Sequence, residues 1–548
     1  MPLGKYLSPL VSLAVESSAI DPLEPVSAER LTPSGPDVGA DDLRSEKPGF
    51  ELWLIAAGAL LVGLITRVIT RSELWLDEAL SVNIATLPLS EIPEALKRDG
   101  HPPLYYVLLH FWTDIFGTSN LAVRSLSIVF GLLALAVGVV LGWRKAGRVG
   151  ALLCVSVLSL SAFAVRYSSE TRMYALVMLL VSLGWLILDD IFRRQKQGWW
   201  RYAALVVITS ALLYSHYWSI WLLGAVGVVV LWLWRAQRFA LRASGFKVLL
   251  AMAIGGLTFL PWLPTLAYQS ANTATPWSTA VRPTSMLSMT IAFFVADNFG
   301  EVYLASGVFV VMLFLGACGY VISSRRTGLQ LTTRKEWRAE LIVVGLTFAF
   351  GAVVGIATGA AFAVRYAAVI FPMVMVMAAL GLARFGQRWV RAVVLAGVCA
   401  LFALGAGYNM GSRRTQMDQI VPTIEQNAQP GDVVVFCPDQ LGPAGTRLLG
   451  DDLNVYVYPT FGDGRFVDWV DYAARNQAAS PQNFAQELLQ KSNGKPIFLV
   501  TAPTYRTLEG QCEALANALS TSRQRADLVA DDGTRFFEHA GLQVFRVP

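Results

Sequence analysis

The sequence predicts a polytopic α-helical membrane protein of about eleven transmembrane helices, followed by a C-terminal extracytoplasmic α/β domain. Three observations lead there. Of 548 residues, 54% are hydrophobic and only 15% charged, with a mean hydropathy of +0.49, whereas soluble domains run near 25% charged. Apolar runs of about 17–22 residues recur from Glu51 onward, each able to cross about 30 Å of hydrocarbon as a helix. After about residue 410 the pattern changes to short β-type segments between turns. The five cysteines lack metal-ligand spacing, which excludes a zinc ribbon or a Cys-rich secreted scaffold. Net charge is +5, and its sign carries meaning only by location.

Residues 1–49 are polar and rich in Pro, Ser and Asp, the composition of a disordered tail, and no small-x-small site marks a cleaved signal. Spans are expected near 51–70, 123–142, 149–165, 173–191, 202–217, 219–234, 247–264, 303–322, 339–358, 366–383 and 392–408. Cys154, Cys318 and Cys399 fall within them and pack as small hydrophobes. Between the first two spans lies a loop of about 71–121. Its segment PPLYYVLLHFWTDIFG is apolar but too short to cross, and it reads as an interfacial helix with Tyr105, Tyr106 and Trp112 at headgroup level. A second loop covers 265–302.

Residues 411–548 read as a soluble α/β domain. GDVVVFCPD, LNVYVYP, KPIFLVTAP and GLQVFRVP are strand candidates, and CEALANALSTSRQ is a helix. Cys437 and Cys512 both lie here; an oxidising compartment allows them to pair, but nothing in the sequence brings them together.

Basic residues set the orientation. One set of alternate loops, from Arg144, Lys145 and Arg148 to Arg384, Arg388 and Arg391, carries 19 Lys and Arg; the other set carries eight. The richer side is cytoplasmic. The N-terminus is therefore expected inside, and the C-terminal domain outside, of the cell membrane.

On the outer side several polar residues stand where a membrane protein needs a reason for them. Asp77 and Glu78 open the first loop; as neutral alternatives they are a solvated loop start or an acidic helix cap. His101, one of four histidines, follows Asp99-Gly100 and precedes Pro102-Pro103. The third span ends in Arg166-Tyr167-Ser168-Ser169-Glu170-Thr171-Arg172-Met173-Tyr174, where three charges at a tight turn also suit mutual neutralisation. His216 ends the fifth span, and Arg365-Tyr366 opens the tenth. An arginine so placed either snorkels to headgroups or binds a phosphate. Carboxylates, a histidine and arginines from at least four loops at one face are what a site for a lipid-linked phosphate substrate needs.

LWLDEA, HPPLYY, Arg124-Ser125-Leu126, RYSSETRMYAL and the later Arg365-Tyr366, in that order, resemble the membrane glycosyltransferases of the GT-C fold. The resemblance is specifically to the protein O-mannosyltransferase and lipid A aminoarabinose transferase superfamily, glycosyltransferase family 39, over about 50–410. It implies transfer of a sugar from a polyprenyl-phosphate carrier to a glycan, lipid or protein acceptor beyond the membrane. It implies that Asp77 and Glu78 are the catalytic pair, and that His101, Arg124 and Glu170 belong to the site. Arg172, Tyr174, His216, Arg365 and Tyr366 complete the expected substrate-binding set. Two departures concern the acceptor: ETRMY stands where the protein mannosyltransferases have LDS, and no trefoil-like domain follows. A divalent cation on Asp77 and Glu78 is left open, and no nucleic acid is expected.

Chemically, a polyprenyl phosphate leaves well if a cation holds its charge, and the attacking hydroxyl needs a base. An oligosaccharide ligase or oligosaccharyltransferase is the nearest rival. A transporter is the rival from another class, but transporters place charges near the bilayer midplane, and here they sit at span ends.

Overall fold

The structure, a computed structural model, describes residues 44–548 apart from 70–71, 237–238, 274–280, 297–299, 503–504 and 506, and excluding the side chains of 236 and 239–242. The described residues all lie within one compact unit. The first 43 residues of the expected tail, Arg71, Arg238 and the side chain of Arg242 thus lie outside the described residues. At the end of that tail, Glu46 accepts two 3.0 Å hydrogen bonds from Arg391.

Ten of the expected spans fall on helical segments; the eleventh, 303–322, is cut short, because its helix ends at Cys318 and residues 319–322 belong to a strand. Seven helices among the described residues are long and apolar enough to cross a membrane by length and composition. One of these, Asn120–Leu160, carries two of the expected spans. Ala146 (φ −143°) and Gly147 (φ +57°) break it, and only glycine takes that second conformation without strain. The helices Trp199–Ser215 and Val302–Cys318, with 17 residues each, and the stretch Phe371–Arg384 account for the remaining expected spans. Phe371–Gly381 is buried at every residue and forms the centre of the helical core.

The first loop folds as three helices, Leu76–Ala85, Ile92–Asp99 and Leu104–Phe116. The last has 13 residues, about 20 Å at 1.5 Å per residue, too short to cross. It buries Tyr105, Tyr106 and Leu109 and exposes Phe111, Ile115 and Phe116, the two-faced pattern of a helix lying at an interface.

Among the described residues nine strands follow in chain order. β1 (Gly319–Ser323) and β2 (Arg326–Leu329) form a hairpin after Val302–Cys318. β3 (Arg413–Thr415) leaves the last long helix, Arg388–Gly411, and pairs in parallel with β8 (Phe536–Glu538). β4 (Val433–Cys437), β5 (Asn454–Val457), β6 (Ile497–Thr501), β7 (Gln524–Val529) and β9 (Gly541–Arg546) form one mixed sheet in the order β5-β4-β6-β9-β7. The four strands read from sequence are β4, β5, β6 and β9. β3, β7 and β8 were not legible, being short or largely exposed, as were the helices Met417–Asn427 and Pro481–Ser492. The sequence left the cysteine pairing open; here Cys437 at the end of β4 is bonded to Cys512 on the helix Gln511–Ser520.

Candidate active site

Asp77 and Glu78 occupy the first turn of Leu76–Ala85. Neighbours on a helix diverge by about 100°, so the two carboxylates face different surroundings. Glu78 is fully buried. Arg124 donates to both its oxygens, Nε to Oε1 at 2.8 Å and Nη2 to Oε2 at 2.7 Å. Arg414 stands 3.0 Å from Oε2, and the Thr171 N–H donates to Oε1 at 3.0 Å. Burial by itself raises this carboxyl; the charges of Arg124 and Arg414 with these hydrogen bonds more than offset it and hold it at about 2.

Asp77 faces the other way. Its Oδ2 lies 3.1 Å from Arg365 Nη1 and 3.9 Å from Arg172 Nε. Arg172 is buried and donates onward to His101 Nε2 (2.9 Å), Ser81 Oγ (3.1 Å) and Tyr106 OH (3.2 Å). Gly100, at φ +87°, ends Ile92–Asp99 and turns the chain so that His101 Nδ1 meets Asp99 Oδ2 at 2.8 Å. An arginine can only donate, so Nε2 accepts and Nδ1 carries the proton toward Asp99. Burial raises the Asp99 carboxyl, but His101, Arg172 and Tyr106 together hold it below the usual carboxylate range. His101 therefore links Asp99 to Arg172 and orients its guanidinium.

The aromatic residues pack against one another at tilted angles. The Tyr174 ring lies 5.6 Å from His216, and His216 lies 5.1 Å from Tyr366. His216 Nδ1 accepts from the Trp218 N–H at 3.2 Å. Glu170 is buried, paired with Arg166 at 2.8 Å, and its Oε1 has no hydrogen-bond partner among the described residues.

A cavity of about 680 Å³ lies between the helical core and the α/β region. Arg166, Glu170 and Arg365 line it from one side, and Arg413, Arg535 and His539 from the other. Of the expected site residues, Glu170 and Arg365 border this space, and Asp77 reaches it through Arg365. Arg124 and Glu78 stand apart as a buried clamp. Arg413, Arg414, Arg535 and Glu538 were missed. One signal was present: Arg413 and Arg414 follow the last span on the side where basic residues are few.

Four arginines against one glutamate suit an anionic ligand, and a carboxylate 3.1 Å from one of them suits proton acceptance near it. The donor set does not suit a divalent cation. Glu78 is held by two guanidinium groups and Asp77 lies beside two more. Among the described residues no three His, Cys, Asp or Glu side chains come together to hold a metal.

No family model and no curated protein matches the chain. Among solved structures it is similar to ArnT from Cupriavidus metallidurans in the apo state, at 13% identity and a TM-score of 0.57, over 90% of this chain and 97% of that one. It is also similar to the same protein bound to undecaprenyl phosphate, at 13% identity and a TM-score of 0.52, with the same coverage. With its long apolar helices and small α/β region, the chain is a multi-pass membrane protein of the GT-C fold.

Proposed function

We propose that the protein transfers a glycosyl group from a polyprenyl-phosphate sugar to an acceptor hydroxyl, at the membrane face that carries the α/β region. The 19-to-eight bias of basic residues supports that face as extracytoplasmic, with the N-terminus inside. The observation that carries the reading is the Asp77–Arg365 contact at the rim of a basic cavity. The crystal structure of ArnT with undecaprenyl phosphate supports a lipid phosphate as the carrier.

In this reaction the acceptor oxygen bonds to the anomeric carbon as the bond from that carbon to the phosphate oxygen breaks. The hydroxyl proton passes to Asp77, and the electron pair of the broken bond leaves on the polyprenyl phosphate. Single displacement inverts the anomeric centre. Arg365 offers a planar fork of N–H donors, a geometry that suits a phosphate held beside Asp77. Glu78 acts through geometry: with its oxygens held by Arg124, Arg414 and Thr171, it fixes the helix that presents Asp77. Hexose against pentose, and glycan, lipid or protein acceptor, are choices made by the cavity lining.

The test uses the purified full chain, a labelled polyprenyl-phosphate sugar and an extract of envelope glycans, lipids and proteins as the source of acceptor hydroxyls. Wild type should release polyprenyl phosphate, and Asp77→Asn should do so about 10²–10⁴-fold more slowly while still binding donor. Turnover of Asp77→Asn at the wild-type rate would remove Asp77 as the base. Absence of turnover in the wild type with every carrier tried would remove the donor class.

A further inference from the structure

The α/β region supplies no residue to the proposed proton transfer, yet it grips the helix that does. Leu76 is the first residue of Leu76–Ala85, and its N–H has no acceptor within the helix. The preceding residue, Trp75, makes no side-chain cap. The acceptor comes from 462 residues away: Glu538 Oε1, at 3.0 Å. Resting on the transfer reading above, we propose that Glu538 is a positioning residue of the reaction, capping the helix from outside so that the α/β region sets where Asp77 points.

The surroundings favour this role. Glu538 is buried and lies opposite Thr415 in the β3–β8 ladder. The residue before Thr415 is Arg414, which stands on Glu78. One two-strand ladder thus holds the catalytic helix at its first N–H and at its buried acid. Phe537, next to Glu538, packs edge-on against Trp75 at 5.1 Å. The other carboxyl oxygen, Oε2, has no hydrogen-bond partner among the described residues.

The groups that face Glu538 are Asp77 and Glu78 from the helix, Thr415 from β3, and the partly buried Tyr505 phenol. Burial raises its carboxyl first, the two neighbouring acids raise it further, and Thr415 with the Leu76 N–H offsets only part, leaving it at about 8. At neutral pH the cap is therefore mainly a neutral acid. Above about pH 8 it becomes a third negative charge beside Asp77 and Glu78.

The experiment compares full-length wild type, Glu538→Ala and Glu538→Gln by donor turnover against pH and by hydrogen exchange across residues 75–80. Glutamine keeps a neutral acceptor; alanine removes it. Expected are a kcat about tenfold lower in Glu538→Ala with donor KM little changed, and faster exchange in 75–80. Glu538→Gln should restore both at pH 7 and lose the fall in kcat centred near pH 8. Wild-type kcat or wild-type exchange in Glu538→Ala would overturn the proposal, as would a Glu538→Gln variant no better than alanine. Should the alanine variant not fold, the pH profile and exchange of Glu538→Gln decide: retention of the fall near pH 8, or loss of protection, overturns it. Exchange needs no turnover, so a wild type inactive on every donor would defeat the transfer reading and leave the cap still tested.

Discussion

The protein holds two dense clusters of buried charge, one at each end of the helix Tyr174–Phe192. They lie about 22 Å apart by helical rise. At the end near Asp189, Arg144 meets Asp190 at 2.9 Å and Asp189 at 3.3 Å, and Arg193 meets Glu340 at 2.7 Å. Lys145 sits 3.6 Å from Glu340 and 4.1 Å from the centre of the Trp337 ring. Here acid and base alternate and aromatic rings cover them. At the Tyr174 end the arginines outnumber the acids around a cavity. Burial of charge therefore does not mark a site by itself. An imbalance of sign beside open volume does.

The largest effects should come from removing the central acid of each cluster. Breaking a buried ion pair leaves unpaired cations and costs about 3–5 kcal/mol. Glu78→Gln strands Arg124 and Arg414; Glu340→Gln strands Lys145, while Arg193 keeps only Asp189. Both should lower the unfolding midpoint markedly. Only Glu78→Gln should also slow turnover per folded molecule, because its helix carries Asp77. Equal slowing by Glu340→Gln would break the distinction between the clusters.

Next in size is Arg365→Lys. Charge is kept but the fork is lost, and loss of one donor at a developing charge typically costs about 10²–10³-fold in rate. Arg193→Lys at the other end should leave turnover intact while lowering thermal stability. Donor turnover by Arg365→Lys within about threefold of wild type would show that a point charge suffices there.

The two clusters also differ in how readable they were. Hydropathy located the spans because length and apolarity are local properties. Asp77, Glu78, His101 and Arg365 stood out because charge at a span end is conspicuous. The far cluster was read only as a tally of Lys and Arg that sets orientation; its acids Asp189, Asp190 and Glu340 stayed invisible, since counting bases ignores their partners. Arg414 and Glu538 were hidden for another reason. They meet Glu78 and Leu76 across hundreds of residues, through a ladder of two short strands with no sequence periodicity. The divergence of Asp77 and Glu78 on one helix was legible, since it follows from their being neighbours; the partners each meets across the fold were not.

A smaller effect, opposite in sign on the two sides of neutrality, concerns pH. The carboxyl of Glu78, held at about 2, contributes stability that is present above its ordinary value of 4.5 and lost as pH falls toward 2. The carboxyl of Glu538, raised to about 8, does the reverse. Its contribution is present below 4.5 and lost as pH rises through 8. Wild-type midpoints should therefore fall as pH climbs from about 4.5 to 8, and Glu538→Gln should flatten that slope without changing the acid limb. An identical slope in both proteins would mean that another group sets it.

The smallest expected effect tests the outer edge of the contact between the first loop and the α/β region. Arg98, at the end of Ile92–Asp99, meets Asp468 at 2.8 Å, and its backbone oxygen accepts from the Trp469 N–H at 3.2 Å. The Arg98 side chain is 57% exposed, so solvent screens the pair, and such bridges contribute about 0.2–1 kcal/mol. The backbone bond survives truncation of the side chain. Arg98→Ala should accordingly shift the unfolding midpoint by no more than a degree or two by order of magnitude, and should leave kcat unchanged, because the ladder at Glu538 and Arg414 still grips the catalytic helix. A large loss of kcat in Arg98→Ala would move control of Asp77 from the buried ladder to this exposed rim, and would contradict the ranking of buried over exposed contacts on which the site's geometry rests.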